Sequence, residues 1–362
     1  MVTPSRIALA RKRRGLTLAE LSDRAEVSLQ SLSNYETGRT APRPDTLAKI
    51  ASALDFPAAF FEGPELDELP AEGISWRARS KTSARVLEAA RAAGTLGAML
   101  YEWIDERFRL PAVNVPSLGK PDPETAAGMV RTRWGLGEAP APNMVHLLEA
   151  HGVRVFSLDP DHAEVDAFAV WRDGVPFVFL NTLKSAERGR FDAAHELGHL
   201  VMHGSEHACS GPEAERQAND FASAFLMPRA SVLGHMPSGA HVDQILRGKQ
   251  IWNVSAMALT YRMHDLNLLS DWQYRSTCAE LSRLGYRSGE PQGMSQRETS
   301  QVLTKVFAAL RSKHVRPWSV AAELGLTSEE MNRLMFGLTL TTFEGEGRHA
   351  SATATRSLSI VP

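Results

Sequence analysis

The stretch that most constrains this chain is His195-Glu196-Leu197-Gly198-His199. Residues four apart lie one helical turn apart on one face, so both imidazoles point the same way. Their neighbours Phe191, Ala194, Leu197, Leu200 and Val201 are apolar and predict a largely buried helix. Two imidazoles and a carboxylate left unpaired there would be costly, so any fold that buries this helix must offer them a shared partner. A cation meets that requirement, and zinc in particular is held by neutral imidazole nitrogens. Glu196 is turned about 100° from His195 around the helix, beside such a cation rather than on it, where a general base toward water belongs. The five-residue pattern also occurs in helices that hold nothing, so a third ligand decides the reading.

His203 continues the four-residue step. At 1.5 Å per residue it lies about 12 Å along the axis from His195, too far for one ion on an unbroken helix, and it reads as structural. The next helix offers a better candidate. Pro212 suits its first turn and Pro228 marks its end. Within it Glu215, Ala218, Asn219 and Ala222 fall on one face, and the alanines let that face approach another helix closely. Glu215 is then either a third ligand or a solvated acid in an acid-rich turn with Glu213, and spacing leaves both open.

Upstream, residues 62–85 are polar and proline-marked and read as a connection. A helical stretch over residues 86–108 follows, then a shorter one near residues 126–134. At Gly152 the period changes. Val153, Val155 and Phe156 predict a strand, and Ala167–Trp171 and Val175–Leu180 predict two more around Asp173-Gly174, a favoured two-residue hairpin turn. A small, mostly antiparallel sheet therefore precedes the histidine helix.

The first 61 residues have a different grain: short helices separated by breaks. Thr17 and Glu20 form a capping-box pattern, Gly15 and Gly38 act as stops, and Ser28 can cap a helix with Leu32 and Tyr35 inward. Two short helices so spaced form a helix-turn-helix, whose second helix enters the DNA major groove. Gln30, Ser31, Ser33 and Asn34 point away from its apolar stripe, and Gln and Asn suit adenine edges. Arg39 and Arg43 follow in a loop placed for phosphates. The alternative is a helical docking module with a solvated polar face.

Charge supports a local rather than a global polyanion contact. The chain carries a net charge of −2, yet residues 1–57 hold nine basic against six acidic side chains, about +3, leaving about −5 for the rest. Cys209 and Cys278 make no disulfide framework, which suggests a reducing compartment. The N-terminus has no apolar signal core, and no apolar run approaches the ~20 residues of a membrane span, so a cytoplasmic protein without membrane contact is expected. Near the C-terminus, VAAELGLTSEEMNRLMFGL predicts two short helices for packing or dimerisation, with a second DNA-contacting unit as the other reading. Residues 344–362, rich in Ser, Thr and Ala, predict a disordered tail.

Two resemblances sharpen these expectations. GLTLAELSDRAEVSLQSLSNYETGRTAPRPDTLAKIASAL resembles the Cro/C1-type (XRE) helix-turn-helix family, over residues 6–61. Leu18 departs from that family's frequent Gln, and Leu29 places an apolar side chain where a thymine methyl can be met. RGRFDAAHELGHLVMH with EAERQANDFASAFLMP is similar to the ImmA/IrrE metallo-endopeptidases, as is DAFAVWRDGVPFVFLN, over roughly residues 75–290.

The resemblance implies a multidomain chain. An all-α helix-turn-helix domain (1–61) and a linker (62–85) come first. An α+β zincin-like peptidase domain (86–290), a helical C-terminal segment (291–343) and the tail follow. It implies Zn2+ on His195, His199 and Glu215, Glu196 as the catalytic residue and Asn219 as support behind a ligand. The implied partners are a double-stranded DNA operator, a protein substrate such as a repressor, and a second copy of the chain as a homodimer. Two other functions fit the same residues: a transcription factor whose peptidase-like domain senses or oligomerises without cleaving, and an antitoxin-like binding partner.

Overall fold

Capping residues mark the head helices in the computed structural model, which describes residues 1–78, 82–119, 121–158, 164–204 and 211–335. They are α1 (Pro4–Arg13), α2 (Leu18–Ala25), α3 (Leu29–Glu36) and α4 (Pro44–Leu54), followed by a 3-10 turn, Ala58–Glu62. Thr17 Oγ1 accepts from the Glu20 amide at 3.1 Å and Glu20 accepts from the Thr17 amide at 2.7 Å, closing the capping box. Glu26 ends α2 in the left-handed region (φ 53°), and Ser28 then caps α3 through the Ser31 amide. Ile7, Leu21, Leu32, Ile50 and Leu54 meet in the middle of the head with no exposed surface.

Part of the stretch expected to be a connection is structured. Ser75–Ala78 forms strand β1, which pairs antiparallel with β3 (Val165–Arg172) and sets Trp76 opposite Phe168. With β2 (Arg154–Ser157) and β4 (Val175–Leu180) the sheet order is β1-β3-β4-β2, antiparallel except between β2 and β4. Asp173 and Gly174 both adopt positive φ (51° and 76°), as the predicted hairpin turn requires. The long helix α5 (Ala84–Asp105) lies on the sheet face that carries Phe168 and Phe179. A Cβ at Gly97 would stand 2.9 Å from Phe179, so glycine permits the approach.

The remaining elements are helical: α6 (Pro123–Arg133), α7 (Met144–Ala150), α8 (Ala186–Met202), α9 (Pro212–Leu226), α10 (Arg229–His235), α11 (Val242–Trp252), α12 (Ala256–Asp265), α13 (Asp271–Arg283), α14 (Gln301–Ser312), α15 (Pro317–Glu323) and α16 (Ser328–Met335). Helix α8 packs along β3 and β4 and is joined closely by α9. No described helix is long and apolar enough to cross a membrane. Cys278 is a free thiol, whereas Cys209 and the expected tail (344–362) lie outside the described residues.

The C-terminal helices do packing work. Glu330 on α16, 1% exposed, accepts from Arg13 Nε at 2.5 Å and from Arg14 Nη1 at 2.7 Å. The α15–α16 turn runs against the 3-10 turn so tightly that a Cβ on Gly325 would stand 2.9 Å from Phe60 Cα. The head is thus fastened to the body by its own basic residues. Arg6 donates to the Phe60 and Pro64 carbonyls, Arg11 pairs with Glu36, Lys12 with Glu68 and Lys49 with Glu26. Of the nine cations counted in the head, Arg24, Arg39 and Arg43 are exposed without an ion pair among the described residues.

Candidate metal centre

Helices α8 and α9 bring together the side chains singled out from spacing. Gly198 faces Phe221, where a Cβ would come to 3.0 Å, and Ala218 and Ala222 are fully buried. The small residues let the two helices approach, and Glu215 arrives opposite the histidines. His195 Nε2 and His199 Nε2 are 3.0 Å apart, and Glu215 carboxylate oxygens lie 3.3 Å and 3.2 Å from them. Two bonds of ~2.0 Å at a tetrahedral angle set ligand atoms about 3.3 Å apart, so this donor set has the spacing of a zinc site. His195, His199 and Glu215 therefore form a candidate metal centre.

Protonation agrees with that use. Burial holds the His195 imidazole neutral, its pKa pushed down to about 3. Burial alone would raise the Glu215 carboxyl, but its close contacts with His195 and His199 outweigh burial and lower its pKa. A neutral imidazole and an ionised carboxylate are the forms a metal binds. Glu196 is fully buried, and both its carboxylate oxygens lack a hydrogen-bond partner among the described residues. Burial pushes its pKa well up, against Arg77 and with Glu215 and Asp192. A divalent cation beside it opposes that shift. An orphaned buried carboxylate next to three convergent donors fits a cation held by those donors.

The outward nitrogens of both histidines are engaged. His195 Nδ1 faces Asn219 Oδ1 at 3.1 Å. His199 Nδ1 lies 3.2 Å from His203 Nδ1, and His203 Nε2 reaches Gln217 Oε1 at 2.8 Å. His203 stands behind a candidate ligand, as its distance along the helix requires.

Two neighbours escaped the sequence reading. Asp192, 1% exposed, sits three residues before His195, a spacing that would have placed it on the same face. It pairs with Arg188 at 3.1 Å and with Arg77 of β1 at 3.0 Å. Arg77 had no sequence signal, because its position depends on strand pairing across the chain.

A cleft of about 710 Å³ borders the centre at Arg77, Phe191 and Asn219 and extends to Tyr261 and Arg287. Downstream of the second motif, Tyr261 reaches this cleft, 45% exposed, with its hydroxyl near Asp220. Arg262 is buried against Glu124 and the Met227 carbonyl, and His264 pairs with Asp271; both are structural.

In the head, Gln30 and Asn34 share the outer face of α3 and bond to each other at 3.2 Å. Ser33 lies on the same side, half-buried, while the Ser31 hydroxyl is turned to Ser28. Arg39 and Arg43 are exposed beyond the helix, and Leu29 is 51% exposed at its start.

Residues 7–61 match the helix-turn-helix family, and residues 148–264 match the IrrE N-terminal-like domain of peptidase family M78. The second match contains β2 to β4 and the whole donor set, while β1 and α5 lie before it. No curated protein matches the chain. The chain thus joins an XRE-type helix-turn-helix DNA-binding domain to an M78 peptidase domain of the IrrE N-terminal-like kind.

Proposed function

We propose that the chain is a transcriptional regulator whose peptidase domain is a zinc-dependent endopeptidase. It hydrolyses a peptide bond in a repressor or another regulatory protein, controlling stress-response or mobile-element genes. The observation that carries this reading is the convergence of His195, His199 and Glu215 with an unpartnered Glu196 beside them. Zinc held there supplies Lewis acidity for a peptide carbonyl and for water. Glu196 accepts a proton from water on its carboxylate and returns it to the leaving amine. Asn219 holds His195 in place. In the head, Gln30, Ser31, Ser33 and Asn34 meet base edges of a double-stranded operator, and Arg39 and Arg43 meet phosphates, in a homodimer on paired half-sites.

The test is Glu196→Gln. The variant should keep its zinc and its operator affinity while failing to cleave the repressor encoded nearest its gene. Undiminished cleavage refutes the role of Glu196. One observation favours a second reading, in which the domain binds metal and senses without cleaving: Glu196 has no exposed surface. Under that reading Glu196→Gln regulates its promoters as the wild type does, and zinc removal changes operator affinity.

A further inference from the structure

Arg77 reaches the metal centre from a strand that lies outside the matched peptidase region. Its side chain is 12% exposed, its Nε pairs with buried Asp192, and its Nη1 donates to Asn219 Oδ1 at 3.1 Å. The same Oδ1 stands 3.1 Å from His195 Nδ1. Asn219 therefore has two neighbours on one amide atom, and one of them can only donate.

That asymmetry decides a proton position. A guanidinium has five N–H donors and no acceptor, so the amide atom facing it must be the oxygen. A histidine nitrogen facing that same oxygen must then carry a hydrogen. With Nδ1 protonated, neutral His195 presents the lone pair of Nε2, the atom that lies 3.0 Å from His199 Nε2 and 3.3 Å from Glu215. The opposite amide orientation has nearly the same shape. It would set an NH2 group against the guanidinium and accept nothing from His195. A hydrogen on Nε2 would then point into the ligand cluster. Asp192 forms an ion pair 3.0 Å from Arg77 Nε and shares its carboxylate with Arg188 at 3.1 Å, which favours a cation at this position.

We propose that Arg77 is a positioning residue that locks the Asn219 amide and thereby sets the His195 tautomer required of a metal ligand. This inference rests on the metal-centre reading above. It adds to that reading a residue carried in by β1 from the side of the DNA-binding head.

The test is zinc affinity of the full chain, by competition with a chromophoric chelator, together with the Co2+ absorption spectrum. Arg77→Leu should weaken zinc about tenfold, at the lower edge of the 10–100-fold range for groups behind a ligand. Asn219→Ala should weaken it at least as much, and the double variant no further than Asn219→Ala alone, because Arg77 acts through Asn219. Arg77→Lys, whose ammonium also only donates, should restore most of the affinity, and thermal melts check that each variant is folded.

Wild-type affinity in Arg77→Leu overturns the assignment, as does a double variant whose losses multiply in full. A folded Arg77→Lys that binds as weakly as Arg77→Leu also overturns it. A wild type that takes up no zinc, or His195→Ala binding as wild type, overturns the metal-centre reading and this inference with it. Loss in His195→Ala beside an unchanged Arg77→Leu overturns the inference alone.

Discussion

Replacing Glu330 with Ala should loosen the DNA-binding head from the body. Glu330 is 1% exposed and takes Arg13 Nε at 2.5 Å and Arg14 Nη1 at 2.7 Å, so one carboxylate balances two guanidinium groups from α1. Removing one side of a buried ion pair costs about 3–5 kcal/mol, much of it the penalty of the charge left behind. Arg13 is 2% exposed and keeps a further contact besides Glu330. Arg14 is 15% exposed and also donates to the Leu54 and Asp55 carbonyls, so neither guanidinium is stranded. The lower end, about 3 kcal/mol, is therefore expected. Urea unfolding followed by far-UV circular dichroism reads the loss as an earlier first transition, and limited proteolysis between head and body should speed up. Glu330→Gln keeps an acceptor and should recover part of the difference. A Glu330→Ala midpoint equal to that of the wild type would refute the argument that this pair fastens the head.

Other consequences follow from the same contacts. The buried Glu149 carboxyl caps α14 by accepting from Ser300 and from the Gln301 and Val302 amides, and burial outweighs these bonds to push its pKa up to about 7. A folded-state pKa above the ordinary 4.5 means the native protein holds this proton more tightly. Its stabilisation is full below pH ~4.5 and is lost as pH rises to about 7, a change of roughly 3 kcal/mol. Denaturant midpoints at pH 5 and pH 8 should therefore differ less in Glu149→Gln than in the wild type. Gly198→Ala sets a methyl 3.0 Å from Phe221 and pushes α9 away from α8, so it should cost about 1–3 kcal/mol in stability and weaken zinc binding, both measurable on one preparation. Arg39→Ala and Arg43→Ala should each lower operator affinity evenly across sequences and reduce the salt slope by about 1, read by fluorescence anisotropy over a salt series; a change in base preference instead would contradict a phosphate role.

How much of this was legible in the sequence varies with the range of the interaction. The head was readable because its signals are local: Thr17 and Glu20 cap each other three residues apart, and Ser28 caps the next helix. The hairpin was readable at Asp173-Gly174 for the same reason, since both residues must take positive φ. The approach of α9 to α8 was legible in the placing of Ala218 and Ala222, although Glu215 stayed ambiguous until the fold set it against the histidines. Strand β1 was not legible. Ser75-Trp76-Arg77-Ala78 is short, lies in a polar stretch and becomes a strand only because β3 offers it an edge. The charge of the head misled for a related reason. Counting its cations treats them as free, yet most bind carboxylates or carbonyls, some more than three hundred residues away in sequence, as Arg13 does with Glu330.

The central claim is that His195, His199 and Glu215 hold one metal ion that the peptidase domain uses. Zinc content per chain, measured by elemental analysis on wild type and Glu215→Ala purified side by side, tests it most directly. One zinc per wild-type chain, falling to a small fraction in Glu215→Ala while the fold is kept, is the predicted result. Substoichiometric zinc in the wild type that does not change on replacing Glu215 would contradict it.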